Sequence, residues 1–333
     1  MRVKLVVLAI VGVSLMVRTT CLAQVQAIEQ RFVVAVDGSG DFSTIQDAVN
    51  AVRDHSQVPA VIIVKKGTYK EKLVIPSWKK HIRIVGEDRA GVVITHADYS
   101  GKEREHADFT GNAEYSTYTS YTVLVQGDDC VLENLTIVNA AGPVGQAVAL
   151  HVEADRCVFV NCSLLGHQDT LYLAKNGRNY FENCHIEGTT DFIFGEATAV
   201  FESCIIKSLR NSYITAASTT EAQDYGFVFL RCKLVADEGV DKVFLGRPWR
   251  PFAKTVFIDA EMGAHIVPEG WNPWKGDEFF PEKERTVFYG EYGSCGPGGA
   301  TEKRVGWAKQ LKKNQAKKYS LPKIFGDWSP DVI

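Results

Sequence analysis

The sequence predicts an all-β chain, folded as a single-domain parallel β-helix: a solenoid of stacked coils closed by short capping helices. A recurring unit is the first reason. It reads VFVNCSLLG (158–166), YFENCHIEG (180–188), VFESCIIKS (200–208) and VFLRCKLVA (228–236). CVLENLTIVN (130–139) joins the series with Leu135 in the cysteine column, and VFIDAEM (256–262) joins with Ala260 there. The column positions 135, 162, 184, 204, 232 and 260 lie 27, 22, 20, 28 and 28 residues apart, the period of a solenoid. The second reason is local. Each unit is a short β-branched and aromatic run of alternating polarity, which reads as a strand. No 3.6-residue periodicity of useful length separates the units, so helices do not connect them. The coils then stack about 4.8 Å apart.

The elements follow in chain order. Arg2 and Lys4 precede an apolar run from Leu5 to Val17, and small residues lead to Ala23. That order is a secretory signal peptide, with cleavage expected after Ala23. The run falls short of the roughly 20 apolar residues that a spanning helix needs. Residues 1–23 are therefore expected to be removed, leaving 24–333 as one exported domain with no membrane span. Ser43 or Thr44 can cap a helix that places Ile45, Ala48, Val49 and Val52 on one face, suited to closing the first coil. Trp307 to Tyr319 is a second helix candidate, after the Gly/Pro-rich turn at Gly293–Gly299.

Composition narrows the function. Hydrophobic residues make up 45% and charged residues 23%, ordinary for a globular protein. Without the signal segment, 34 basic residues face 40 acidic ones, a formal charge of −6 with no basic stripe for nucleic acid. Seven cysteines remain, an odd number that argues against a complete disulfide framework. Cys162, Cys184, Cys204 and Cys232 instead fit one inward column of small apolar residues.

Three segments embed polar residues in apolar or turn-rich settings: Gly166–Tyr172, Asp191–Gly195 and Leu245–Trp249. Asp169 and Asp191 are 22 residues apart, one coil step, so they are expected at equivalent points on adjacent coils. Gln146 and Gln168 are also 22 apart, although an insertion blurs that register. Two close carboxylates share a proton, giving a nucleophile or base beside an acid, the division that ester cleavage needs. Gln168 or Gln146 can stabilise an oxyanion, Arg247 can hold one aspartate ionised, and Trp249 offers a flat face to a sugar. The same Asp and Gln residues equally fit turns bonded to the backbone.

The motifs Gly67-Thr-Tyr-Lys-Glu71, Gln146-Ala-Val-Ala-Leu150, Gly166-His-Gln-Asp-Thr-Leu171, Asp191-Phe-Ile-Phe-Gly195 and Leu245-Gly-Arg-Pro-Trp249 occur in that order. With them the chain resembles the pectin methylesterase family over nearly all of its mature length. The resemblance implies a right-handed parallel β-helix and a cofactor-free, metal-free hydrolase of methyl-esterified homogalacturonan. It implies Asp191 as nucleophile, Asp169 as general acid and then base, and Gln168 as main oxyanion donor assisted by Gln146. Arg247 would bond Asp191, Trp249 would line a sugar subsite, and Thr117 matches a substrate-contacting position. His167 departs from the residues common there. A secreted monomer is expected.

Other residues read differently. Gly67–Glu71 suits a structural turn, whereas Trp271, Trp274 and Tyr172 fit either a cleft wall or the core. Eight basic residues and no acid lie between Lys303 and Lys323, a solvated face or a surface for free pectin carboxylates. Rival readings are a pectate lyase, a polygalacturonase and a non-catalytic polysaccharide binder. The first wants a calcium-binding carboxylate cluster, the second carboxylates spaced across a glycosidic bond, and the third the loss of Asp169, Asp191 or Arg247.

Overall fold

The computed structural model describes residues 29–330, and the expected signal segment lies outside the described residues. Each coil lays one strand in a first sheet, one in a second and one in a third before returning to the first. One coil runs Cys157–Val160, Ser163–Leu165 and Leu171–Leu173, and Arg178–Glu182 begins the next. The three sheets hold 11, 8 and 7 strands, paired in parallel between coils. This is the parallel β-helix that the repeat predicts, and the general hand of such crossovers is right-handed.

The register repeats the sequence steps. Ser163 pairs with Thr136 and His185, His185 with Ile205, Ile205 with Lys233, and Lys233 with Glu261. Residues just before the column positions (Asn134, Asn161, Asn183, Ser203, Arg231 and Asp259) have φ between 51° and 55°. That left-handed turn swings the chain from the first sheet to the second, and Asn and Asp adopt it at least cost.

Behind each turn the interior is columnar. Cys162, Cys184, Cys204 and Cys232 stack as buried free thiols between Leu135 and Ala260. Their Sγ atoms donate to carbonyls of the preceding coil: Leu132 and Phe159 at 3.4 Å, Phe181 at 3.5 Å and Phe201 at 3.3 Å. Alongside runs a ladder of Phe159, Phe181, Phe201, Phe229 and Phe257, with successive ring centroids 4.5, 4.9, 4.5 and 4.4 Å apart. Stacked rings add to area burial because each covers its neighbour's face.

The ends are closed as well. Helix Ile45–Ala51 is capped by Thr44, and Ile45, Ala48 and Val49 are buried. Glu71 completes the cap by accepting from the Ile45 and Gln46 amides, both at 2.9 Å. The Tyr69 hydroxyl donates to the Lys65 carbonyl at 2.8 Å, so Gly67–Glu71 is structural as expected, but Gly67–Tyr69 is a strand paired with Val92–Ile94 and not a turn. The continuous helix expected over Trp307–Tyr319 does not form. Lys309–Gln310 pairs with Gly290–Glu291 at the edge of the first sheet, and only Lys313–Ala316 and Leu321–Phe325 are helical. Edge pairing there satisfies backbone groups and buries Leu311. No helix among the described residues is long and apolar enough to cross a membrane.

Burial raises the thiols of Cys130, to about 12, and of Cys157, whereas Cys295 is exposed. Of the seven described cysteines, Cys295 alone is expected to react with a thiol reagent in the native protein. Counting labelled thiols before and after denaturation checks this. Rapid native labelling of any of Cys162, Cys184, Cys204 or Cys232 would contradict a closed column.

Candidate active site

The site lies on the outward face of the third sheet, where register again decides the layout. His151, Tyr172, Phe194 and Ala216 pair across successive strands and form one outward column. The Tyr172 ring stacks on Phe194 at 4.5 Å and packs against His151 at 4.5 Å, giving the cleft an aromatic floor. Two motif glycines let the coils approach this closely. A Cβ on Gly195, whose φ is +120°, would fall 2.0 Å from the Leu173 carbonyl, and one on Gly246 would fall 2.0 Å from Thr215 Oγ1.

Asp169 and Asp191 sit just before equivalent strands, as Leu171 pairs with Ile193. The 22-residue step therefore puts the two aspartates on adjacent coils, with backbones about 4.8 Å apart. Both are left-handed, φ 65° and 48°, a conformation that Asp tolerates and that turns the side chain outward at this corner. Thr170 clamps the first turn, donating to the carbonyls of His167 at 3.2 Å and Glu187 at 2.9 Å. Gln146 and Gln168 form a parallel bridge of their own, so the blurred register proves intact.

Arg247 arrives from two coils beyond Asp191. Its amide bonds the Thr215 carbonyl at 2.9 Å, continuing the pairing of Phe244–Gly246. The guanidinium then grips Asp191 with two bonds, Nε–Oδ1 at 2.9 Å and Nη2–Oδ2 at 2.6 Å. It is sandwiched between the rings of Tyr213 and Trp274, 4.0 and 3.6 Å from their centroids. Lys283, itself buried, holds the Trp274 loop by bonding Asp277 at 2.5 Å and lying 4.7 Å from the Trp274 centroid.

This arrangement separates the two carboxylates electrically. Asp169 is 8% exposed and Asp191 6%. Burial, then the neighbouring Asp191 charge, raises Asp169 well above the ordinary carboxyl value. Burial raises Asp191 too, but the Arg247 guanidinium pulls it back. The proton of the pair therefore resides on Asp169 and the charge on Asp191.

All seven residues singled out from the sequence, Thr117, Gln146, Gln168, Asp169, Asp191, Arg247 and Trp249, line one cleft of about 360 Å³. The sequence reading had left out Tyr118, Phe194 and Ala216, which also line it. The outward register of Phe194 and Ala216 follows from strand alternation, whereas Tyr118 lies in a short 3-10 turn that no strand pattern announces. Trp274 lines the cleft, whereas Trp271 is core, 1% exposed and bonded to Glu291 at 3.3 Å. Thr117 and Tyr118 ride on an excursion, residues 97–122, held by a buried knot. Lys72 Nζ donates to Asp98 at 2.7 Å and to the Thr119 carbonyl at 2.6 Å, and Asn139 donates to the carbonyls of Asp98, Ser120 and Val148.

Known proteins agree with this picture. Residues 31–327 match the family model described as Pectinesterase. The chain is 38% identical over 285 residues to Pectinesterase 31 of Arabidopsis thaliana, covering 85% of this chain and 88% of that one. The pectin methylesterase PemA from Erwinia chrysanthemi superposes with TM-score 0.81 at 31% identity, covering 92% of this chain and 100% of that one. A pectin methylesterase in complex with a hexasaccharide superposes with TM-score 0.79, also at 31% identity and the same coverage.

A raised carboxyl favours the fold while protonated and destabilises it once ionised. The Asp169 contribution is thus fully present below its unfolded value near 3.8 and is lost as pH rises toward its higher folded value. Asp169→Asn, neutral and of equal shape, should have a higher Tm than the parent at pH 7, with the gap closing toward pH 3. Thermal melts across that range check it; a lower Tm for the variant at pH 7 would refute the assignment.

Proposed function

The chain belongs to the pectinesterase family, and from that premise we propose how its cleft hydrolyses the C6 methyl esters of homogalacturonan. The enzyme is a carboxylic ester hydrolase with a right-handed parallel β-helix fold, and its products are methanol and demethylated pectin. One observation carries the residue roles: Arg247 bonds both oxygens of Asp191, and Asp169 receives no such partner.

Asp191, kept anionic by Arg247, attacks the C6 carbonyl carbon. An Asp191 Oδ–C6 bond forms, and the carbonyl oxygen takes the negative charge. The side-chain amides of Gln168 and Gln146, both facing the cleft, supply N–H donors to that oxyanion. As the intermediate collapses, the C6–methoxy bond breaks and Asp169 gives its proton to the departing methoxide. Methanol leaves an acyl-enzyme anhydride and an ionised Asp169. Asp169 then takes a proton from water, whose oxygen attacks C6. The C6–Asp191 bond breaks, restoring the Asp191 carboxylate and a protonated Asp169.

Trp249 supports this reading as a sugar platform. It packs 5.9 Å from Phe194 and leaves the aromatic floor open to a pyranose face. Thr117 supplies a hydroxyl on the opposite rim. The lyase and polygalacturonase readings required broken chains, whereas this chemistry cuts only the ester.

The export reading belongs to the same proposal. Residues 1–23 act as a signal peptide, and the mature protein works outside the cell, as a monomer, on a wall polysaccharide. N-terminal sequencing of the exported protein should begin at Gln24, and sedimentation should return the mass of one chain.

Asp191→Ala should abolish methanol release from esterified pectin and, by leaving Arg247 without its buried carboxylate, destabilise the fold by about 3 kcal/mol. Gln168→Ala should lower kcat by roughly 10²–10³ with little loss of stability. Methanol release, chain length of the product and denaturant melts are the measurements. Wild-type turnover in Asp191→Ala, or shortened polysaccharide with the parent enzyme, would overturn the mechanism.

A further inference from the structure

The basic run between Lys303 and Lys323 plays no part in the cleft. Arg304 is spent inside, where its guanidinium bonds the buried Glu291 carboxylate at 2.8 and 3.1 Å. The other seven, from Lys303 to Lys323, are exposed lysines, and none forms an ion pair with a described residue. Their place in the fold is set by the apolar residues between them. Leu311, Ile324 and Phe325 pack on Val158, Tyr180, Val200 and Val228, the outward stripe of the first sheet. The tail therefore straps one face of the solenoid, and the cleft opens on another.

A groove of about 340 Å³ runs beside this strap, lined by Tyr225, Tyr319, Phe288, Gln315, Lys318 and Asp224. Tyr225 and Tyr319 meet edge to face at 5.6 Å, and the Tyr225 hydroxyl bonds the Lys318 carbonyl at 3.1 Å. The groove is thus walled on one side by the strap and on the other by the solenoid. Aromatic faces, the Gln315 amide and the Lys318 ammonium line the groove, with Lys313 and Lys317 exposed nearby on the same segment, a set that suits a sugar carrying a carboxylate. The rest of the chain is acidic, with a formal charge of −3 for the whole sequence, so an anionic chain is attracted only where positive charge is local.

We propose that this groove and its lysines form a second binding surface for demethylated homogalacturonan, the polyanionic product of the cleft. The inference rests on the pectinesterase reading. Neutral methylated stretches reach the cleft, and the carboxylates left behind on the same chain engage the lysines. Tethering through the product keeps the enzyme on a polymer it has begun to convert, because the second contact is intramolecular. Lysine–carboxylate attraction on an exposed face weakens with salt. Asp224 is the one carboxylate lining the groove, and it opposes the ligand.

The test uses electrophoresis of the folded enzyme through gels containing fully de-esterified polygalacturonate, with dextran sulfate gels as the control. The triple variant Lys313→Glu/Lys317→Glu/Lys318→Glu should be retained about tenfold less than the parent. Asp224→Asn should be retained more strongly, and methanol release from a short methylated oligogalacturonide should be unchanged in both variants. Equal retention of parent and triple variant overturns the proposal. So do changes of equal size in dextran sulfate, a loss for the triple variant and a gain for Asp224→Asn, which would mark simple charge attraction. If the parent released no methanol, the pectinesterase reading would fail, while retention would still report on the surface.

Discussion

Parallel hydrogen bonding between coils carries every residue to the same point on the next coil, about 4.8 Å away, whatever its side chain. The pairing is indifferent to chemistry, so like residues stack on like. Inside, the outcome is favourable: phenylalanine rings cover one another from Phe159 to Phe257, and buried thiols stack in a column beside them. At the corner before the third sheet the same rule stacks Asp169 on Asp191. There it is costly, because two buried carboxylates in neighbouring coils repel and both lose water. The aspartate pair is a local conflict imposed by the repeat that stabilises the rest.

Arg247 resolves the conflict by breaking the symmetry. It reaches across an intervening strand and satisfies only Asp191, which leaves Asp169 to hold the proton. Its own freedom is removed by Tyr213 on one side and Trp274 on the other. Long-range order is thereby converted into a difference between two chemically identical groups. The apolar floor of Tyr172 and Phe194 raises the stakes, since it lowers the local dielectric around the pair.

The far rim of the cleft depends on a different kind of support. Residues 97–122 leave the solenoid and cannot be held by coil pairing along their length. Burial pushes the Asp98 carboxyl up, but the ammonium groups of Lys102 and Lys72 more than offset this, so the buried centre of the knot stays charged and bonded. Lys72 also rests over the rings of Tyr115 and Tyr121 at 4.4 and 4.7 Å. Thr117 and Tyr118 are positioned by these interior polar groups, none of which touches the cleft.

The solenoid, its steps and the adjacency of Asp169 and Asp191 were legible in the residues, because a period in sequence becomes a fixed translation in space once strands pair in parallel. The sequence also carried the Thr44 cap and the cysteine column, both of which follow from local residue type and spacing. Tertiary structure alone decided what lies off the repeat. Trp271 and Trp274 are three residues apart, yet one is core and the other faces the cleft, since a loop turns at Trp274, whose φ is 55°. The expected helix over Trp307–Tyr319 gave way to edge pairing at Lys309–Gln310, because an unpaired sheet edge offered more than local helical propensity. Arg247 reaches Asp191 across 56 residues and Lys72 reaches Asp98 and Thr119 across 26 and 47, with no period to announce them, so the electrical difference between the aspartates that the family resemblance implied has its physical cause in the packed chain.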